Sequence, residues 1–184
     1  MIVEKILNLN TSQPFMSTSE NMQKSVIARL VSSLLWLLFI GNSLYLMLHF
    51  NSVPVWRLGD ALRINGFTIL IWTTVTFFSA IVSSYASNYL KGFRFHSRFM
   101  VLCLGFTLSV MLMVMSNHVA LLLFSWLIMG IIMSQLIGID KTWGEAREAS
   151  KFTQKYFLTG TFFLTVGVLL IAFYSNEFTV SGLS

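Results

Sequence analysis

The chain has 184 residues, of which 55% are hydrophobic and 10% are charged, and its formal net charge is +5. Soluble domains carry about 25% charged residues, so the composition excludes an ordinary water-soluble fold. Charged residues are absent from three long blocks, 64–90, 99–139 and 156–176. A soluble helix needs a charged outer face, and these blocks leave none. The sequence therefore predicts an all-α integral membrane protein, built as a polytopic transmembrane helical bundle.

The composition also limits the partners. Cys103 is the single cysteine, so no internal disulfide forms, and no Cys/His spacing suits a metal. The basic balance indicates cytoplasmic loops rather than a nucleic-acid interface, because no basic cluster is interleaved with aromatic residues. We expect the chain to lie in the lipid bilayer, with no nucleic-acid partner and with no metal or cofactor.

The N-terminal part is predicted to comprise a polar cytoplasmic tail over residues 1–29 and a first span over 30–48. The transmembrane domain as a whole is predicted over 30–174. In the loop that follows the first span, Asp60 lies three residues from both Arg57 and Arg63. This spacing predicts that the three charges pair on one short helix.

The second span, predicted over 66–87, is rich in hydroxyl side chains. Ser79, Ser83 and Ser87 recur every four residues and therefore share one helix face. Small residues at that spacing let helices approach closely, and their hydroxyls can bond across the contact or to the carbonyl four residues back. Helix packing is the favoured interpretation, and a polar track for water or ions is the alternative.

Two apolar arms separated only by Ser116-Asn117-His118 predict a transmembrane helical hairpin, with spans over 99–115 and 119–139. A helix rises about 1.5 Å per residue and the hydrocarbon core is about 30 Å thick, so about 20 residues are needed to cross it. The second arm meets that length. The first meets it with slight tilt or with an extension into the turn.

The second arm of the hairpin carries a seam of small residues. Gly130, Ser134 and Gly138 are four residues apart, which is typical of a close helix–helix contact. Gln135, next to this seam, is predicted to form an interhelical hydrogen bond or, alternatively, to bind a polar ligand.

The last span is predicted over 156–174, after an amphipathic loop over 140–155, and residues 175–184 are predicted to form a short external tail. Five spans place ten of the twelve Lys and Arg residues on one side and two on the other. Because positive residues mark the cytoplasmic side, the N-terminus is predicted to be cytoplasmic in a multi-pass protein of the cell (inner) membrane. The ten are Lys5, Lys24, Arg29, Lys91, Arg94, Arg98, Lys141, Arg147, Lys151 and Lys155, and the two are Arg57 and Arg63.

No residue pattern indicates catalysis, since the sequence has no nucleophile–base pair, phosphate loop or dinucleotide fingerprint, and the chain is not predicted to be an enzyme. No acid or base lies in the middle of a span, where ion pumps normally place one. His118 is expected to be hydrated in the outer turn, and the two lysines before the last span are expected to snorkel to the interface. The candidate translocation or helix-packing positions are Gln135, Ser134, Gly130, Gly138, His118, Lys151 and Lys155.

Several stretches resemble the proton-translocating antiporter-like membrane subunits. Leu62–Leu70 resembles the "DGLS"-type entry to their third helix, and Tyr85–Gly92 followed by Ser97–Phe99 resembles their "YxxxYLxG…RF" exit loop. Asn117–Trp126 resembles their "NLLLLFLxW" run, and Leu136–Gly138 resembles the "LIG" end of the next helix. The family includes the subunit-5-type membrane arm of respiratory complex I, the Mrp-type cation antiporters and the DabB subunit of inorganic-carbon pumps.

The sequence departs from this family at charged positions. Leu127 follows Trp126 where the complex I and Mrp-type subunits carry a Glu of the proton path. Ser134-Gln135-Leu136 is similar to the "HQLL" segment of DabB-type proteins, with Ser in place of His. Leu158–Thr161 stands where the family has Arg-x-Gly-Asp. These departures argue against autonomous proton pumping.

The resemblance implies a membrane subunit similar to the N-terminal portion of a DabB-type component of an energy-coupled CO2/bicarbonate uptake pump. Such a subunit would be driven by a cation gradient and would form a hetero-oligomer with a DabA-type or other membrane-complex subunit. One alternative is a cation/proton antiporter-like subunit of a complex I or Mrp-type assembly. Another is a non-transporting assembly or interaction protein, or a truncated relic.

Overall fold

The computed structural model describes residues 18–49, 55–59, 61–90, 93, 95–175 and 179–180. Five of its helices are long and apolar enough to cross a membrane, which confirms the prediction of an all-α bundle of about five spans. A short antiparallel hairpin, with strands β1 (Trp56–Leu58) and β2 (Leu62–Ile64), lies between the first two helices. The helices are α1 (Thr18–Leu48), α2 (Gly66–Tyr89), α3 (His96–Met115), α4 (Val119–Ile137) and α5 (Gly144–Ser175).

The first and last helices are longer than their predicted spans. Helix α1 begins at Thr18, inside the predicted polar tail, and α5 begins at Gly144, inside the predicted amphipathic loop. The apolar pattern marks only the part of a helix that lies in hydrocarbon. The helices continue beyond it because residues 18–29 and 145–155 hold no Gly or Pro to end them. The remainder of the predicted N-terminal tail, residues 1–17, lies outside the described residues.

The helices pack in a chain that starts from a three-helix cluster. Helix α1 contacts both α2 and α3, and α2 also contacts α3. Helix α4 then packs on α3, and α5 packs on α4. Within the described residues α1 and α5 make no contact with each other. In agreement with this order, 28% of the apolar 18-residue segment of α2 is buried inside the bundle, but only 11% of the corresponding segment of α1 or of α5.

Small side chains bring α1 close to α2. Ala28, Val31 and Leu35 of α1 form one buried face with Ala80 and Ala86 of α2. The same contact includes hydroxyl groups, since the Ser32 and Ser84 hydroxyls lie 3.0 Å apart and share a hydrogen bond. The indole Nε1 of Trp36 also donates to Ser84 Oγ at 2.8 Å.

The β1–β2 hairpin replaces the short helix predicted for its charges. Gly59 adopts a φ of +64°, in the left-handed region that favours glycine, and this turns the chain back on itself. The strand register pairs Arg57 with Arg63, so the two like charges face each other instead of lying three residues either side of an acid on a helix. The prediction of a helix here was wrong, and Asp60 itself lies outside the described residues.

Backbone hydrogen bonds join three segments at one end of the bundle. The amides of Asn117 and His118 donate to the carbonyl of Ala61, at 2.8 and 3.3 Å, and tie the α3–α4 turn to the hairpin. The amide of Val180 donates to the carbonyl of Asn117 at 2.6 Å and ties the chain after α5 to the same turn. The three segments predicted to be external therefore lie at the same end, as an alternation of five spans requires.

Candidate functional site

The predicted seam on α4 packs against α5. Gly130 lies against the ring of Phe157, and a Cβ added at Gly130 would overlap that ring. About two turns further on, a Cβ added at Gly138 would lie 2.7 Å from the Cβ of Ser150. Both positions therefore need a residue without a side chain if α5 is to approach this closely.

Ser134 and Ser150 complete the seam with reciprocal hydrogen bonds. Ser134 Oγ donates to the carbonyl of Ser150 at 3.1 Å, and Ser150 Oγ donates to the carbonyl of Ser134 at 2.7 Å. Ser134 is buried. Hydrogen bonds between helices of a membrane protein contribute on average about 0.6 kcal/mol each, so this pair stabilises the contact modestly and fixes its register.

The aromatic stack next to the seam was not foreseen from the sequence. The rings of Trp126 and Phe157 are stacked with centroids 5.6 Å apart and an interplanar angle of 20°. Gly130 is one helical turn after Trp126, and it leaves the space into which Phe157 fits. The spacing of small residues predicted that α4 contacts another helix closely. It did not indicate which aromatic residue of α5 would occupy the space beside Gly130.

Gln135 does not form the interhelical hydrogen bond that was predicted for it. Its side chain is exposed, and no hydrogen bond links it to another described residue. It also lies two residues before the end of α4 at Ile137, and so near the membrane interface rather than at depth. The seam and Gln135 therefore occupy different faces of the same helix.

His118 has a structural position at the start of α4. It is the N-cap residue, and its Nδ1 accepts a hydrogen bond from the amide of Ala120 at 3.2 Å. Its backbone also pairs with Thr179 in an isolated antiparallel bridge. Its side chain is half-buried in the outer turn, which is where the sequence placed it.

Lys151 and Lys155 lie four residues apart in the first part of α5, before its long apolar stretch. Both side chains are exposed. Exposed aromatic side chains at Trp143, Phe152 and Tyr156 surround this segment, as expected near the level of the lipid headgroups.

Of the candidate residues, the structure brings together Gly130, Ser134 and Gly138 in the α4–α5 contact. It leaves Gln135, His118 and the two lysines apart from them. The use of any of these residues in translocation stays a prediction.

A short polar turn connects α4 to α5. The amide and hydroxyl of Thr142 both donate to Asp140 Oδ1, at 3.0 and 2.6 Å. These hydrogen bonds favour the charged carboxylate and hold the pKa of Asp140 below its ordinary value.

The hydroxyl face of α2 packs on α3. Thr107 Oγ1 of α3 donates to Ser79 Oγ at 2.6 Å, and both residues are buried. Ser83 instead donates to the carbonyl of Ala80, and Thr76 to that of Trp72, both within α2. These contacts agree with the predicted packing role. Thr107 as the partner was missed, because the nearest hydroxyl in α3, that of Ser109, is two residues away and does not share its helix face.

Among the described residues, no group of three or more His, Cys, Asp or Glu side chains could hold a metal ion. Cys103 is buried in α3 as a free thiol. The charged side chains of α2 to α5 lie in the first turn of α3, at Arg98, and in the first twelve residues of α5. The arrangement thus supports helix packing, and the side chains that the structure describes form no built acid–base site.

These features define a multi-pass membrane protein of five packed helices. The chain is 29% identical over 155 residues to NAD(P)H-quinone oxidoreductase subunit 5, chloroplastic, from Chara vulgaris. The alignment covers 79% of this chain but 22% of the relative, so the chain spans less than a quarter of the length of the curated relative that it matches. No family model matches the chain. The similarity supports the resemblance to antiporter-like membrane subunits, and it does not single out a DabB-type subunit.

Proposed function

We propose that the chain is an antiporter-like membrane subunit that packs into a complex I-type assembly. The observation that carries this proposal is the similarity to a subunit 5 of NAD(P)H-quinone oxidoreductase along 79% of the chain. The five apolar helices support it, because a subunit of that kind must be embedded in the membrane.

In this role the five helices serve as scaffold rather than as a proton path of their own. A proton path through lipid needs ionisable groups at depth, where they can gain and lose protons. The apolar stretches 66–90 and 99–139 hold no acidic or basic side chain except His118 in the turn. The chain performs no catalysis in this proposal, and any cation flow uses other parts of the assembly.

The proposal is tested by purifying the tagged full chain from its native membrane in a mild detergent. On a native gel, the chain should migrate in one band with other subunits of an NAD(P)H-quinone oxidoreductase, identified by mass spectrometry. A second tagged multi-pass protein from the same membrane is the control for detergent carry-over. If the chain migrates alone while the oxidoreductase stays intact, the proposal is wrong.

A DabB-type subunit of an inorganic-carbon pump is the second candidate. It is favoured by Leu127, which replaces the Glu that follows the Trp in complex I-type subunits, and by Ser134-Gln135-Leu136, which is similar to a DabB-type segment. This role would place a large carbonic-anhydrase-like partner with bound zinc in the purified complex. A deletion strain would then need elevated CO2 for growth, and unchanged growth in air would exclude this role.

A further inference from the structure

Two arginines lie opposite each other on the β1–β2 hairpin. The register pairs Arg57 with Arg63, and paired residues of antiparallel strands project from the same face. The alternate pair, Trp56 and Ile64, occupies the other face, so the hairpin has an apolar face and an arginine face. Like charges directly opposite each other destabilise a strand pair. An anion that binds between Arg57 and Arg63 would therefore stabilise the hairpin, because it would reduce the repulsion between the two positive charges.

The two guanidinium groups lack a neutralising partner among the described residues. Arg57 is exposed, and Arg63 has an enclosed Nε that makes no hydrogen bond. Between Trp56 and Ile64 the sequence holds two arginines and one acid, Asp60, so the hairpin has a net charge of +1. Guanidinium groups present paired N–H donors whose geometry matches the oxygens of a phosphate.

Aromatic contacts place the hairpin at the membrane interface. Trp56 is 56% exposed, and its Nε1 donates to the hydroxyl of Tyr45 at 3.1 Å. The Tyr45 ring in turn stacks on His49, with centroids 4.5 Å apart, at the end of α1. Trp and Tyr are enriched at the level of the lipid headgroups, because their rings are apolar and their tips are polar. Arg57 is adjacent to Trp56 and therefore lies at the level where lipid phosphates are found.

The hairpin is also held rigidly in this position. The carbonyl of Ala61 accepts two hydrogen bonds from the α3–α4 turn, and Leu62 forms a bridge with Ser116. A binding face on a fixed backbone needs little ordering when a ligand arrives.

We propose that the Arg57–Arg63 face binds the phosphate group of a phospholipid headgroup in the non-cytoplasmic leaflet. This inference does not depend on the proposed function, because it uses only the hairpin and its depth in the membrane. It also gives a role to the two positive residues that lie on the side of the protein where positive residues are scarce.

The test measures lipid binding by the purified full chain with native mass spectrometry. The probes are phosphatidylglycerol, a diacylglycerol with the same acyl chains, and inorganic phosphate. The wild-type chain should retain phosphatidylglycerol in preference to diacylglycerol, and inorganic phosphate at an equal concentration should not displace it. Arg57→Gln combined with Arg63→Gln should weaken phosphatidylglycerol binding about tenfold or more, since charge-assisted hydrogen bonds are lost.

Control variants separate the arginine face from general charge and from folding. Arg147→Gln removes an exposed positive charge at the other end of the bundle and should leave binding unchanged. Arg57→Gln alone changes an exposed residue, so it keeps the fold and should still weaken binding. Arg63→Lys keeps the charge but removes the paired donors, and its affinity should lie between those of the wild type and the double variant.

Four outcomes would overturn the proposal. The double variant could bind the phospholipid as tightly as the wild type does, or inorganic phosphate could displace the lipid. Binding could require Asp60→Asn, which would show that a carboxylate of the same chain already neutralises the arginines. Cross-linking at Val55→Cys, an exposed position that leaves both arginines in place, could capture only a protein subunit in native membranes, which would show that the face is a protein contact.

Discussion

Glycine positions on neighbouring helices differ in how much room surrounds them. Gly130 on α4 lies against Phe157, whereas Gly160 on α5 has no atom within 4 Å of an added Cβ. We expect Gly130→Ala to lower the free energy of unfolding by about 1–3 kcal/mol, because the extra methyl group overpacks a filled contact. The change is measured as a fall in the thermal midpoint of the detergent-solubilised chain, followed by tryptophan fluorescence.

Gly160→Ala is the matched control for this variant. It adds the same methyl group in a helix interior but into open space, so it should leave the midpoint unchanged or raise it through better helix propensity, worth up to about 1 kcal/mol. Equal midpoints for both variants would contradict the close α4–α5 contact.

The pKa of Asp140 provides a second test at the level of one residue. Its carboxylate accepts two hydrogen bonds from Thr142, which lower its pKa. Because folding lowers this pKa, the carboxylate's contribution to stability is fully present above its ordinary pKa. That contribution is lost as the pH falls through the lowered value.

Thr142→Val removes the hydroxyl donor and should raise the pKa of Asp140 towards its ordinary value. Titration of the labelled Asp140 carboxyl carbon by NMR in detergent measures the change. Lys141→Ala, in the same turn, removes no donor to Asp140 and is the control for altered surface charge. An unchanged pKa in Thr142→Val would mean that the turn differs from the one described.

At the scale of elements, the α4–α5 contact depends on a matched pair of hydroxyls. Ser134→Ala and Ser150→Ala should each destabilise the chain, and the double variant should cost less than the sum of the two. Each substitution removes its own hydrogen bond to the partner's backbone, and either one also removes the contact between the two hydroxyls, which lie 3.3 Å apart. Because only that contact is shared, we expect a coupling of up to about 0.6 kcal/mol. Thermal midpoints of the four chains give the coupling, with Ser33→Ala on the exposed face of α1 as a control.

The sequence predicted the elements that depend on lipid and missed those that depend on tertiary contacts. Uninterrupted apolar length is enough to locate a membrane helix, so all five spans were predicted. The seam at Gly130, Ser134 and Gly138 was also visible from its spacing. Its partners on α5 were not, because the residue that meets a small side chain depends on how two distant helices are placed. For the same reason the predicted bond of Gln135 was wrong.

The hairpin shows a different limit of prediction. Arg57 and Arg63 fit both a helix, where they flank an acid, and a strand pair, where each lies between apolar residues. Three-residue strands are too short for periodicity to separate these alternatives. The decisive features are the left-handed turn at Gly59 and the anchoring to the α3–α4 turn, and the second is not a local property.

At the scale of the whole molecule, the five spans place the two ends of α5 on opposite sides of the membrane. We expect Val180→Cys to react with a membrane-impermeant maleimide added to the non-cytoplasmic side. Lys141→Cys should react only after the membrane is permeabilised, because the lysine and arginine count predicts that the α4–α5 turn is cytoplasmic. Both introduced side chains replace exposed residues, and the native Cys103 is buried and provides the unreactive background.

Labelling of both positions from the same side would contradict five spans. Labelling of the two positions from the sides opposite to those expected would keep five spans but would reverse the orientation inferred from the lysine and arginine count.

The bridge between His118 and Thr179 can form only after α5 has been inserted across the membrane, because Thr179 follows that helix. The four earlier helices can enter the bilayer in succession, but the carbonyl of Asn117 acquires its Val180 donor only when the last helix has been threaded across. Insertion of α5 thus adds a backbone contact at the end of the bundle opposite to the α4–α5 turn.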